Sequence, residues 1–136
     1  PSSRLRVSDF DALSRSLEEG IQKKLLPESK VSVKFEVRRP PLEATPASRA
    51  LARHGVEIYK ELDLPLKVVD RASGGGTDAA FAALKARGPV IEGMGLSGFG
   101  AHSNDAEYIQ IDSIVPRLYL AARMIMDVSQ GKAPAK

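Results

Sequence analysis

The sequence contains no cysteine, which excludes a disulfide framework and a thiolate zinc site and leaves the redox compartment open. Aromatic residues supply only 5% of the chain, so any core must rest on Leu, Val, Ile and Ala. No apolar stretch approaches the length that spans a bilayer. The first residues, Pro1-Ser-Ser-Arg-Leu-Arg6, lack the apolar centre of a signal peptide. A strong charge of one sign is also missing, since 20 Lys and Arg against 17 Asp and Glu give +3. The basic residues are scattered rather than gathered in a block. That pattern reads as a mixed, solvated surface and argues against nucleic acid or a membrane as partner.

What is present is an ordinary globular balance of 43% hydrophobic and 27% charged residues over 136 positions, enough for one domain or for parts of two. The spacing predicts a helix over about Ser8 to Lys24. Ser8 is placed to cap it, Asp9 and Asp11 lie in its positive first turn, and Phe10, Leu13, Leu17 and Ile21 form one apolar face. Pro27 ends that segment. Val31, Val33, Phe35 and Val37 alternate with Ser32, Lys34 and Glu36, which predicts a strand in a sheet covered on one side. Leu5 to Val7 reads as the stub of a partner strand.

The prolines at Pro40, Pro41 and Pro46 stiffen the chain and read as a crossing between two structural units. Beyond them, helices expected over Pro46 to Leu62, Thr77 to Arg87 and Asp112 to Gln130 alternate with short apolar runs, Leu66 to Val69 and Pro89 to Ile91. That alternation predicts a parallel α/β sheet covered on both faces. Ile114, Leu118, Ala122, Ile125 and Val128 are the expected inner face of the last helix, with Gly131 as its stop. Two parallel strands do not make a self-sufficient sheet, so part of this one is expected to be missing.

Three places could carry chemistry. Ser73-Gly-Gly-Gly-Thr-Asp78 lies after a predicted strand and before a helix, where Gly74, Gly75 and Gly76 could turn backbone N–H groups onto an anion. A plain flexible turn is the alternative, and Asp78 reads as a dipole partner of the helix. The Gly-rich stretch Gly93 to Glu107, a long loop without predicted structure, holds His102 with Asp105 and Glu107 near it in sequence. Such loops are often functional, although a lone histidine is commonly a surface residue. Arg38 and Arg39 precede a rigid Pro-Pro, where a guanidinium could clamp a carboxylate or form a solvated edge. His54, on a helix face with Arg53 and Lys60, is expected to be solvated.

Together, Arg39-Pro40, Gly74-Gly-Gly-Thr-Asp-Ala-Ala80, Gly98-Phe-Gly-Ala-His-Ser103 with Ala106-Glu-Tyr108, and Arg117-Leu-Tyr-Leu-Ala-Ala-Arg123 resemble the zinc aminoacylase and carboxypeptidase family. Within it they resemble the bacterial folate-cleaving glutamate carboxypeptidases, from about Arg6 to Lys132. The resemblance implies a longer α/β enzyme. Residues 1–39 would end its α+β lid or dimerisation domain, as a last strand-helix-strand. Residues 40–136 would form the C-terminal part of its catalytic domain.

The implied chemistry is zinc-dependent hydrolysis of the amide bond to a C-terminal, acidic amino acid, with two zinc ions and a general base in the full enzyme. By resemblance His102 is a zinc ligand, Arg39 holds the substrate's terminal carboxylate, and Gly76 and its loop contact the same group. The other ligands, a His-x-Asp motif and a Glu-Glu pair, would lie upstream, so the chain alone is expected to hold at most one ligand and to be inactive. The implied partners are a C-terminal amino-acid amide or peptide substrate, the upstream half of the enzyme, and a second copy in a homodimer. Pro1-Ser-Ser3 stands where the family has Asp-x-Arg, which implies a truncated or altered start. The rival expectation is a non-catalytic anion-binding or assembly module. A nucleotide-phosphate site is disfavoured because no lysine follows the glycines.

Overall fold

The computed structural model describes residues 9–23, 26–34, 36, 39–70 and 76–134. By backbone contact the chain divides into two compact units, Pro1–Glu43 with Ala72–Leu84, and Ala44–Arg71 with Lys85–Lys136. The described residues mix helix with a small sheet.

In the first unit, α1 runs over Phe10–Gln22 and starts after Asp9, with Asp11 in its first turn as expected. Ser8, the expected cap, and the Leu5 to Val7 stub lie outside the described residues. Phe10, Leu13 and Ile21 are half-buried and Leu17 is exposed, so the predicted face exists but no residue of α1 is fully buried. The expected strand is absent from residues 31–34 and 36, and Val31 and Val33 are exposed. Period-two patterning makes a strand only where a second backbone supplies the ladder, and the described residues offer none at this point. The second helix of this unit, expected over Thr77 to Arg87, contracts to a short helix over Ala79–Ala83.

The second unit is built on two helices. Thr45 caps the helix Pro46–Lys60, its Oγ1 accepting from the Ser48 N–H at 3.0 Å, and Pro46 fills a first-turn position where no N–H is needed. Leu51, Gly55, Ile58 and Tyr59 recur at helical spacing and are buried. They meet Leu120 and Met124 of the last helix, Ile114–Ser129, which is entered through a single 3₁₀ turn over Ile111–Ser113. In chain order the four helices are α1 (Phe10–Gln22), α2 (Pro46–Lys60), α3 (Ala79–Ala83) and α4 (Ile114–Ser129). Gly55 lets α2 approach α4 closely: a Cβ there would stand 3.5 Å from Leu120 Cδ1.

Two expectations are corrected in this unit. The buried stripe of α4 is Leu120, Met124 and Asp127, whereas Leu118 is 63% and Ile125 71% exposed. Because α4 is apolar on nearly every side, periodicity alone did not choose the face; the α2 contact does. The expected strands Leu66 to Val69 and Pro89 to Ile91 carry no ladder, and the only sheet among the described residues is antiparallel. It pairs β1 (Gly98–Phe99) with β2 (Tyr108–Ile109), in the register Gly98 opposite Ile109 and Phe99 opposite Tyr108. A local hairpin supplies both of its own strands, which a parallel pair never does.

Candidate functional site

The hairpin organises the Gly-rich stretch that the sequence presents as an unstructured loop. Gln110 N–H donates to Ser97 C=O at 2.8 Å, and Ser97 N–H donates to the Ser113 hydroxyl at 3.0 Å, tying the base of the hairpin to the start of α4. At its tip Gly100 and His102 both have positive φ, +73° and +70°. Ser103 N–H closes a turn onto Gly100 C=O at 2.8 Å, and the Ser103 hydroxyl accepts from Ala106 N–H at 3.2 Å. His102 is thereby presented to solvent on a turn held by backbone bonds. A zinc site normally takes three or four protein ligands. Among the described residues no three His, Cys, Asp or Glu side chains stand close enough to share a metal ion. His102 with its loop neighbours does not by itself fit zinc.

In the first unit the structure brings two of the singled-out motifs together. Arg39 Nη1 lies 3.2 Å from Asp78 Oδ1, joining residues 39 apart in sequence. From the sequence alone Asp78 is expected to be a dipole partner of the following helix. It occupies the N-cap position of α3, yet its side chain makes no cap bond. Thr77 Oγ1 instead accepts from Ala79 N–H at 3.1 Å. Gly76 lies two positions before Asp78; Gly74, Gly75 and Arg38 lie outside the described residues. With only five residues, α3 has too few aligned peptides for a strong terminal dipole, so an anion at the glycine loop would depend on backbone N–H groups and Arg39.

One polar constellation was missed in the sequence. Glu61, at the C-cap of α2, accepts the Tyr119 hydroxyl at 2.6 Å and the Arg123 guanidinium through both carboxylate oxygens, at 3.0 and 3.1 Å. Arg123 also reaches Asp127 Oδ2 at 3.5 Å, and that oxygen lies 2.8 Å from His54 Nε2. His54 is therefore not a solvated residue but half-buried and paired. The hydrogen bond with His54 holds the Asp127 carboxyl below its ordinary value against the opposing effect of burial, with Arg123 assisting. Tyr119 is pushed up, first by its hydrogen bond to Glu61 and then by desolvation. The sequence carries only a spacing: His54 on α2 and Glu61 at its C-cap are seven apart, and Tyr119, Arg123 and Asp127 are four apart on α4. Each member of the ladder is bonded to another member, so it clasps two helices rather than offering a reactive group.

An open groove of about 870 Å³ in the second unit is lined by Tyr59, Leu66 and Lys67 together with Ser97, Gln110 and Arg117. Of the expected site residues that are described, Arg39, Gly76 and His102, none lines it.

No protein-family model matches the chain. Over 127 residues, 93% of its length, the chain is 50% identical to Carboxypeptidase G2 of Pseudomonas sp. (strain RS-16). It spans 30% of that protein. The resemblance to the zinc aminoacylase and carboxypeptidase family is therefore borne out: over nearly its whole length the chain is similar to one part of a carboxypeptidase.

Proposed function

We propose that this chain is the C-terminal segment of a zinc-dependent metallopeptidase that hydrolyses the amide bond to a C-terminal, acidic amino acid, and that the segment alone is inactive. The observation that carries the reading is the 50% identity across 93% of the chain, against only 30% of the relative. Residues 1–39 close the lid or dimerisation domain, and residues 40–136 complete the catalytic domain. Arg39 and the Gly74–Gly76 loop grip the substrate's terminal carboxylate; the approach of Arg39 to Asp78, two residues past Gly76, supports that pairing. His102 is one ligand of a two-zinc centre whose other ligands belong to the preceding part of the enzyme, and zinc would there supply an activated water. The full-length protein pairs as a homodimer.

The outward face of α4 supports the same reading. Val115, Leu118, Ile125 and Met126 are exposed, as are Phe99, Tyr108 and Ile109 on the hairpin. Apolar surface gathered in this way usually marks a face that another element covers.

The test compares the chain alone with the chain joined behind the preceding portion of Carboxypeptidase G2, measuring bound zinc and release of glutamate from an acyl-glutamate. Zinc and turnover should appear only in the joined protein. Stoichiometric zinc with turnover by the isolated chain would overturn the reading of inactivity. A joined protein that folds and holds zinc without turnover would favour a non-catalytic binding module.

A further inference from the structure

We propose that Asp78 is a positioning residue for Arg39, holding its guanidinium beside the end of the glycine loop with one edge open for an incoming carboxylate. The inference rests on the reading of Arg39 as the substrate-gripping arginine, and deepens it. Arg39 precedes Pro40, so its backbone is restricted toward extended conformations. Its side chain keeps four rotatable bonds and is 52% exposed. Left to itself such a guanidinium samples many directions, and a fork that must meet a carboxylate in one plane loses affinity through that freedom.

The structure supplies the missing constraint. Asp78 does not spend its carboxylate on α3, since Thr77 takes the Ala79 N–H. It places Oδ1 3.2 Å from Nη1 of Arg39. The contact uses one guanidinium nitrogen and one carboxylate oxygen, and the remaining nitrogens have no hydrogen-bond partner among the described residues. A guanidinium carries five N–H donors in a planar fork. It can keep Asp78 on Nη1 and still present a two-donor edge to a second carboxylate.

The opposite role is also physical: Asp78 could compete with substrate for Arg39 and repel its negative charge. Two observations decide against it. The pair is monodentate, so no displacement is needed, and Asp78 is 92% exposed, so the high dielectric of water weakens its repulsion of a second carboxylate. The two roles predict KM changes of opposite sign.

The experiment uses the joined, full-length protein with an acyl-glutamate and its amide analogue. Asp78→Asn should raise KM for the acyl-glutamate about two- to fivefold, the range expected of an exposed ion pair, with kcat nearly unchanged. Asp78→Glu should recover most of the loss, and the amide analogue should not respond. Asp78→Asn combined with Arg39→Lys should be no worse than Arg39→Lys alone. A fall in KM on Asp78→Asn, or no change while Arg39→Lys raises KM, overturns the positioning role and leaves the arginine grip standing. No effect of Arg39→Lys overturns the grip itself. On the isolated chain, exchange of the Arg39 guanidinium protons, read by NMR, should quicken in Asp78→Asn; equal exchange overturns the pairing whatever the enzyme does.

Discussion

Asp127 Oδ2 lies 2.8 Å from His54 Nε2, across the contact between α4 and α2. Asp127 is the one buried carboxylate of the second unit's core face, and His54, Arg123 and the chain turning back after α4 all converge on it. The N–H groups of Lys132 and Ala133 donate to its backbone carbonyl, at 2.7 and 3.2 Å. One residue thus joins the two helices and the end of α4. A buried charge tolerates its position only while its partners remain.

The acid limb of stability should reflect this contact. The Asp127 carboxyl is held below its ordinary value by the hydrogen bond with His54, so the folded state binds its proton less readily than the unfolded chain. Its stabilising contribution is full above the ordinary carboxylate value, about pH 4, and is lost as pH falls through the lower folded value. Asp127→Asn should flatten the decline below about pH 4 and lower stability at neutral pH. Urea midpoints measured across that range check both, and an unchanged acid slope would dismiss the pair as a contributor.

The corrected face of α4 makes a sharp comparison. Leu120 is 0% exposed and fits against Gly55, so Leu120→Ala should cost about 2–5 kcal/mol. Ile125→Ala should cost less than about 0.5 kcal/mol in the isolated chain. Thermal or chemical unfolding of both variants tests the assignment; equal losses would restore the face expected from periodicity.

Gly100 guards the His102 turn. A Cβ at Gly100 would collide with the backbone carbonyl of Ala106, and its φ of +73° disfavours any L side chain. Gly100→Ala should therefore open the hairpin tip, seen as lost protection of the Ser103 amide, and in the joined protein should lower zinc content as His102→Ala does. Retained zinc in either variant would return His102 to an ordinary loop histidine.

The helices α1, α2 and α4 were legible in the sequence because periodicity is local: α2 opens at Pro46 where expected, and Phe10, Leu13 and Ile21 of the expected α1 face are half-buried. Strands were not, because residues 31–34 and Leu66 to Val69 carry strand composition without a neighbouring backbone to pair with among the described residues. The motif residues Arg39, Gly76 and His102 stood out by chemistry. Their supports, Asp78 and the turn through Ser103, did not, since each depends on which residues the chain brings alongside. The His54–Glu61 ladder was hidden for a related reason: a charged residue reads as solvated until its partner helix is known.

The outward face of α4 gives the last prediction. Leu118 is exposed in this chain, and a leucine left in water contributes nothing by burial. Leu118→Glu should therefore leave the isolated chain's stability within about 0.5 kcal/mol and raise its solubility. In the joined protein the same position is expected to lie against the preceding part of the catalytic domain. An unpaired carboxylate placed there costs several kcal/mol, so the joined variant should lose its cooperative unfolding transition, or lose much of its stability. Val115→Glu should behave alike, being exposed on the same helix. The measurement is a pair of unfolding curves, isolated and joined, for each variant. A Glu tolerated equally in both settings would mean that nothing covers this face, and the chain would stand as a self-sufficient module.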